Sequence, residues 1–188
     1  LDIFTILAAF LTMIIQFSGV VVPVLVLMLS SGMNIYHVTV IWLASHTAAI
    51  TIAYFSTRFL RKKSGRVSDY LQKKLAEAEA YVGALGLFFG LILFNFSVWI
   101  YISVPIMVLM NVDWKKIYLT SIIGHTFYYL IMLSSIFWLY TLYSNILLTI
   151  IATLVIAFAT SVIVYQTFRK INGKKIPKLE KPRSEKPQ

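Results

Sequence analysis

No Asp, Glu, Lys or Arg interrupts residues 3–57, 80–112 or 117–168, and these charge-free stretches are dominated by Ile, Leu, Val, Phe and Ala. A chain built this way has to move those runs out of water together. In a hydrocarbon layer every backbone N–H and C=O must then find a partner inside the protein, which for this pattern means helices. With 59% hydrophobic and 13% charged residues, too little polar surface remains to cover a soluble globule of 188 residues. The expected fold class is an all-α polytopic membrane protein, with residues 1–168 forming one membrane domain. The opening run has no basic leader, so no cleavable signal is read from it.

The runs differ in how they are broken. Residues 3–30 carry Gln16-Phe17-Ser18-Gly19 and then Pro23, and are expected to form a re-entrant or broken helix. Residues 38–60 contain neither Pro nor Gly and are long enough to span. After the basic segment RFLRKKSGR, residues 67–82 space Val67, Tyr70, Leu71, Leu75, Ala78 and Val82 three and four apart, the pattern of an amphipathic helix on the cytoplasmic membrane surface. Residues 83–112 are interrupted by Asn95, Ser97, Ser103 and Pro105 and read as a second broken segment, with Pro23 and Pro105 expected to mark the two hairpin breaks. Residues 117–142 and 146–168 are further spans, and 169–188 form a basic, disordered cytoplasmic tail.

Charge decides how the second broken segment runs. The basic clusters are Arg58 to Lys74, Lys115 with Lys116, and Arg169 onward. If residues 83–112 crossed the bilayer, the second and third clusters would face away from the first. If they dip and return, all 17 Lys and Arg share the cytoplasmic side, as the positive-inside rule favours. Re-entry is therefore expected, in a multi-pass protein of the cell membrane. The net charge of +10 then marks topology and contact with anionic headgroups, through Arg58, Arg61, Lys62 and Lys63, and not nucleic-acid binding.

The two halves also resemble each other. VTVIWLASHT (residues 38–47) aligns without a gap on IYLTSIIGHT (residues 117–126), and Met33-Asn34-Ile35 and Met110-Asn111-Val112 lie upstream at unequal spacing. Each half reads as a broken hairpin followed by a span, and the spans run in opposite directions. This inverted repeat, plus one further transmembrane helix, is the build of many secondary transporters. Two Pro-containing hairpins, each followed by a span and joined by a basic connector, resemble the DedA superfamily, also called the VTT or SNARE-associated Golgi protein domain. The small multidrug export proteins share this layout. The local matches are SSGMNIYHVTVIWLASHTAAITIAYFSTRF and MNVDWKKIYLTSIIGHTFYYLI. The resemblance implies movement of a polyprenyl-phosphate-like lipid or a small solute. The chain departs from the family's pattern by lacking the acidic residue of the first hairpin and the arginines of the second.

His46 and His125 lie about nine residues into their spans, roughly 12 Å deep, so spans entering from opposite faces would bring both imidazoles to one level. Ionisable residues at that depth are functional candidates; their plainer role is to hydrogen-bond neighbouring helices. Gln16, Ser18, Asn95, Ser97 and Ser103 are expected either to line a polar pathway with the histidines or to satisfy backbone groups freed by the breaks. Trp99, Tyr101, Trp114, Tyr118, Trp138, Tyr140 and Tyr143 read mostly as interfacial anchors.

An enzyme is not expected. There is no cysteine, no paired intramembrane Asp, no His-x-x-x-His and no Gly-rich phosphate loop. No metal or cofactor is expected either; two facing imidazoles leave a bis-histidine haem subunit as a remote alternative. The other reading is a non-transporting membrane scaffold, and a homo-oligomer is left open.

Overall fold

The computed structural model describes residues 3–16, 18–63, 75, 78–79, 82–83 and 85–172. Among them the regular elements are all helices: α1 (Ile3–Met13), α2 (Ser18–Ser30), α3 (Ile35–Lys63), α4 (Leu87–Ser97), α5 (Ile100–Leu109), α6 (Trp114–Tyr143) and α7 (Ile146–Asn172). Three stretches are long and apolar enough to cross a membrane: Ile35–Leu60, Trp114–Tyr143 and Ile146–Val164. Large apolar side chains face outward, Phe4 at 77% exposure and Phe158 at 73%, which suits lipid and not water. Most of the amphipathic helix expected over 67–82 lies outside the described residues, as do residues 173–188 of the expected tail. Of that helix, Ala78 is buried against Phe94 and Ile106.

The first two elements form one broken pair and α4 with α5 form another, yet neither break is at the proline. Pro23 sits inside α2 and Pro105 inside α5. A proline forfeits one helical hydrogen bond and bends the axis, which these short helices absorb. The chain instead turns at Gln16, held in the left-handed region at φ 53°, and at Val98-Trp99, where the backbone is extended.

Each pair then exits by the same device. At the end of α2, Gly32 takes φ 83°, with Met33 N–H bonded to the Met28 carbonyl (3.1 Å) and Gly32 N–H to Leu29 (3.0 Å). At the end of α5, Asn111 takes φ 55°, with Val112 N–H on Met107 (3.0 Å) and Asn111 N–H on Val108 (3.1 Å). Both are Schellman endings, which favour Gly or Asn at the left-handed position. Asn34 then caps α3 by accepting from Tyr36 N–H (2.9 Å), and Asp113 caps α6 by accepting from Lys115 N–H (3.0 Å). These caps start α3 and α6 at Ile35 and Trp114, earlier than the hydropathy pattern alone suggests.

The third and sixth helices run antiparallel. Going up α3 and down α6, Thr39 meets the Tyr129 hydroxyl (3.0 Å), the His46 ring lies 4.8 Å from His125, Thr47 accepts from the Tyr118 hydroxyl (3.1 Å), and the Tyr54 ring lies 4.3 Å from Trp114. The C-terminal end of α3, with exposed Arg58, is therefore level with the start of α6, with Lys115 and Lys116. The apolar interior has two main parts. Met13, Val22, Leu25, Trp42, Tyr129 and Met132 pack where α1, α2, α3 and α6 meet, and Ala49, Ile50, Ile100, Val104 and Met107 pack α5 onto α3.

Gly124 sets a close approach between α4 and α6. A Cβ there would lie 2.6 Å from the Ile92 carbonyl oxygen and 2.8 Å from Asn95 Cβ, so α4 and α6 touch backbone to backbone. Gly124→Ala is expected to lower stability by about 1–3 kcal/mol through overpacking. Gly83→Ala, with nothing within 4 Å of the new methyl, should leave the unfolding midpoint of detergent-purified protein near that of wild type.

Candidate functional site

The two breaks come together at a partly exposed junction. A chain reversal inside an apolar layer strips carbonyls of their helical partners, and those oxygens need donors from elsewhere. Here the donors belong to the other broken pair. The Tyr101 hydroxyl donates to the Ile14 carbonyl (2.8 Å) and Trp99 Nε1–H donates to Ile15 (3.2 Å). Trp99 and Tyr101, expected at the membrane interface, join the tips of the two broken pairs.

Beside this junction stand the histidines. His46 is fully buried on α3 and packs at 10° to the Trp42 indole, 5.0 Å away, which itself stacks on Tyr129 at 4.2 Å. The Tyr129–Trp42–His46 stack fixes the ring; His125 approaches from α6 at 4.8 Å between centroids and a tilt of 52°. Gln16 orients His46: its Nε2 donates to the Met13 carbonyl (2.6 Å), which turns its Oε1 toward His46 Nδ1 (3.1 Å). Because an amide oxygen only accepts, His46 carries its proton on Nδ1. His125 Nδ1 likewise donates to the Ser121 carbonyl one turn back (2.9 Å). Both Nε2 atoms are thereby left as lone pairs, buried and without a hydrogen-bond partner. The rings lie too close, and are tethered too firmly through Nδ1, to hold a flat macrocycle between them, so the arrangement does not suit a bis-histidine haem. Among the described residues no group of three or more His, Cys, Asp or Glu could hold a metal ion.

A cavity of about 180 Å³ opens at this junction, lined by Gln16, Trp42, Phe96, Ser97, Val98, Trp99, His125 and Tyr128 among others. Of the expected pathway residues, Gln16, Ser97 and His125 line it, and His46 sits behind through its bond to Gln16. Asn95 does not line it. It is fully buried against α6, donating from Nδ2 to Leu91 (2.8 Å) and Thr120 (3.5 Å) and accepting from the Ser121 hydroxyl (3.2 Å). Ser103 is buried on α5, away from the cavity wall, its hydroxyl without a partner. The Ser18 side chain lies outside the described residues, as do those of Arg61, Lys62 and Lys63 at the end of α3. Arg58 is exposed, its guanidinium over the Tyr54 ring at 5.6 Å from the centroid.

Trp42, Tyr129, Thr120 and Ser121 were not singled out from the sequence. A signal for the junction was present, however. The offset carrying His46 onto His125 also carries Asn34 onto Asp113, Gly32 onto Asn111, and Gln16-Phe17-Ser18 onto Asn95-Phe96-Ser97. The Met-Asn-Ile and Met-Asn-Val pair falls at a different offset and does not correspond in position.

Comparisons with protein-family models, with curated proteins and with solved structures return no match to this chain. Asn95→Leu should cost about 1–3 kcal/mol, since it strips a buried hydroxyl of its acceptor. Ser97→Ala, which loses only a bond to the Leu93 carbonyl of its own helix, should stay within about 0.5 kcal/mol of wild type in the same unfolding measurement.

Proposed function

We propose that the chain is a membrane transporter in which two re-entrant hairpins, α1–α2 and α4–α5, enter from opposite sides and meet at a midplane site. The observation that carries this reading is the junction itself: the tip of one broken pair hydrogen-bonds the tip of the other beside His46 and His125. The antiparallel register of α3 and α6 supports the topology. If α3 crosses the bilayer, the segment from its end to Trp114 begins and finishes on one side, because Tyr54 and Trp114 are in contact. The matched exits at Gly32 and Asn111 support an inverted repeat, and discontinuous helices meeting at midplane are where transporters of that build hold their cargo. Kinship with the DedA or small multidrug export families is part of the same proposal, at the level of build.

The site favours a small solute over a phosphorylated lipid. A cavity of about 180 Å³ is smaller than the pockets that enclose drug-sized ligands. None of the residues lining it carries a fixed charge, so phosphate has no bidentate guanidinium to bind.

Topology and transport are tested separately. The chain has no cysteine, so single cysteines can be introduced cleanly. Arg58→Cys and Lys115→Cys are expected to label from the same side of the membrane and Ser144→Cys from the other; labelling of positions 58 and 115 from opposite sides would remove the re-entrant reading. In liposomes, wild-type protein should pass small solutes faster than empty vesicles, and His125→Ala should cut that flux by about tenfold or more, the cost of a lost buried hydrogen bond in the pathway. Flux equal to empty vesicles would favour the scaffold reading.

A further inference from the structure

Resting on the transport reading above, we propose that the junction cavity takes a small protonated amine, an R–NH3+ group carrying one or two carbons. The inference comes from what its wall offers. The Ser97 hydroxyl spends its proton on the Leu93 carbonyl (3.0 Å) and the Ser161 hydroxyl spends its own on Ala157 (3.1 Å), so both present only oxygen lone pairs to the cavity. His125 adds an unpartnered Nε2 lone pair, its single proton being held at Nδ1 by Ser121. Gln16 is engaged at both ends of its amide.

Such a wall asks for a ligand that donates several hydrogen bonds and accepts none. An ammonium group is that species. An anion would meet the lone pairs of Ser97, Ser161 and His125, and a quaternary ammonium would leave them unmet. The remaining surface suits a positive charge. Trp42, Phe96, Trp99 and Tyr128 contribute aromatic rings, which attract cations most strongly when water is excluded. Phe96, Ser97 and Val98 form the C-terminal end of α4, the negative pole of that helix. No Lys or Arg lines the cavity to repel the cation, and about 180 Å³ is room for a ligand of about six heavy atoms, ample for a short alkylammonium.

The test is a titration of intrinsic tryptophan fluorescence in detergent-purified protein at constant ionic strength. Methylammonium should give a saturable change, and tetramethylammonium and acetate should not. His125→Leu should weaken methylammonium binding by about tenfold or more, with His125→Gln, which restores an acceptor, recovering part of it. Should His125→Leu fail to fold, Ser97→Ala combined with Ser161→Ala removes two acceptors at helix surfaces and should weaken binding in the same direction. An equal response to tetramethylammonium, no saturable response from wild type, or unchanged affinity in the double variant would overturn the proposal. Labelled glycerol passing through proteoliposomes without methylammonium binding would discard the amine and keep the transporter. Saturable methylammonium binding with no flux of any solute would do the reverse.

Discussion

In a hydrocarbon layer a backbone carbonyl cannot turn to water, and that constraint organises this protein. Each broken helix frees such groups at its reversal. The oxygens of Ile14 and Ile15 are satisfied by the Tyr101 hydroxyl and the Trp99 indole, across the junction and not within their own pair. The first break thus leans on the second, and the two tips meet in a stretch that carries no charged side chain and no cysteine.

The same economy shapes the polar groups around the junction. Asn95, Thr120 and Ser121 satisfy one another between α4 and α6, and the helices approach closely enough there that Gly124 has no room for a side chain. On the other half, Gln16 reaches across to His46 and the Trp42–Tyr129 stack immobilises the ring. Equivalent positions, Gln16 and Asn95, therefore do different work: one extends an amide to the histidine pair, the other ties a hairpin to its neighbouring helix.

The spans, the two broken segments and the meeting of the histidines were legible because each follows from counting: apolar run length, polar interruptions, and depth along a helix. The turning residue within each break was not. Proline announces a missing donor, but α2 and α5 tolerate that loss, whereas the reversal at Gln16 rests on a left-handed backbone that a glutamine does not advertise. Asn95 looked like a cavity residue because polar atoms in an apolar run suggest a pathway; its partners, Thr120 and Ser121, are about 25 positions away and visible only after folding. The sequence likewise shows the amphipathic rings of Trp99 and Tyr101 but not the carbonyls they serve.

The charge-free interior has an electrical consequence. Moving one elementary charge through 100 mV is worth about 2.3 kcal/mol, which is how voltage drives proteins that carry arginines through the bilayer. Within residues 3–57, 80–112 and 117–168 the side chains able to take a charge are imidazoles and phenols alone, so a rearrangement of those stretches in the empty protein offers the field no fixed charge to pull on. Any steep response to membrane voltage would have to arrive with the occupant of the cavity and leave with it.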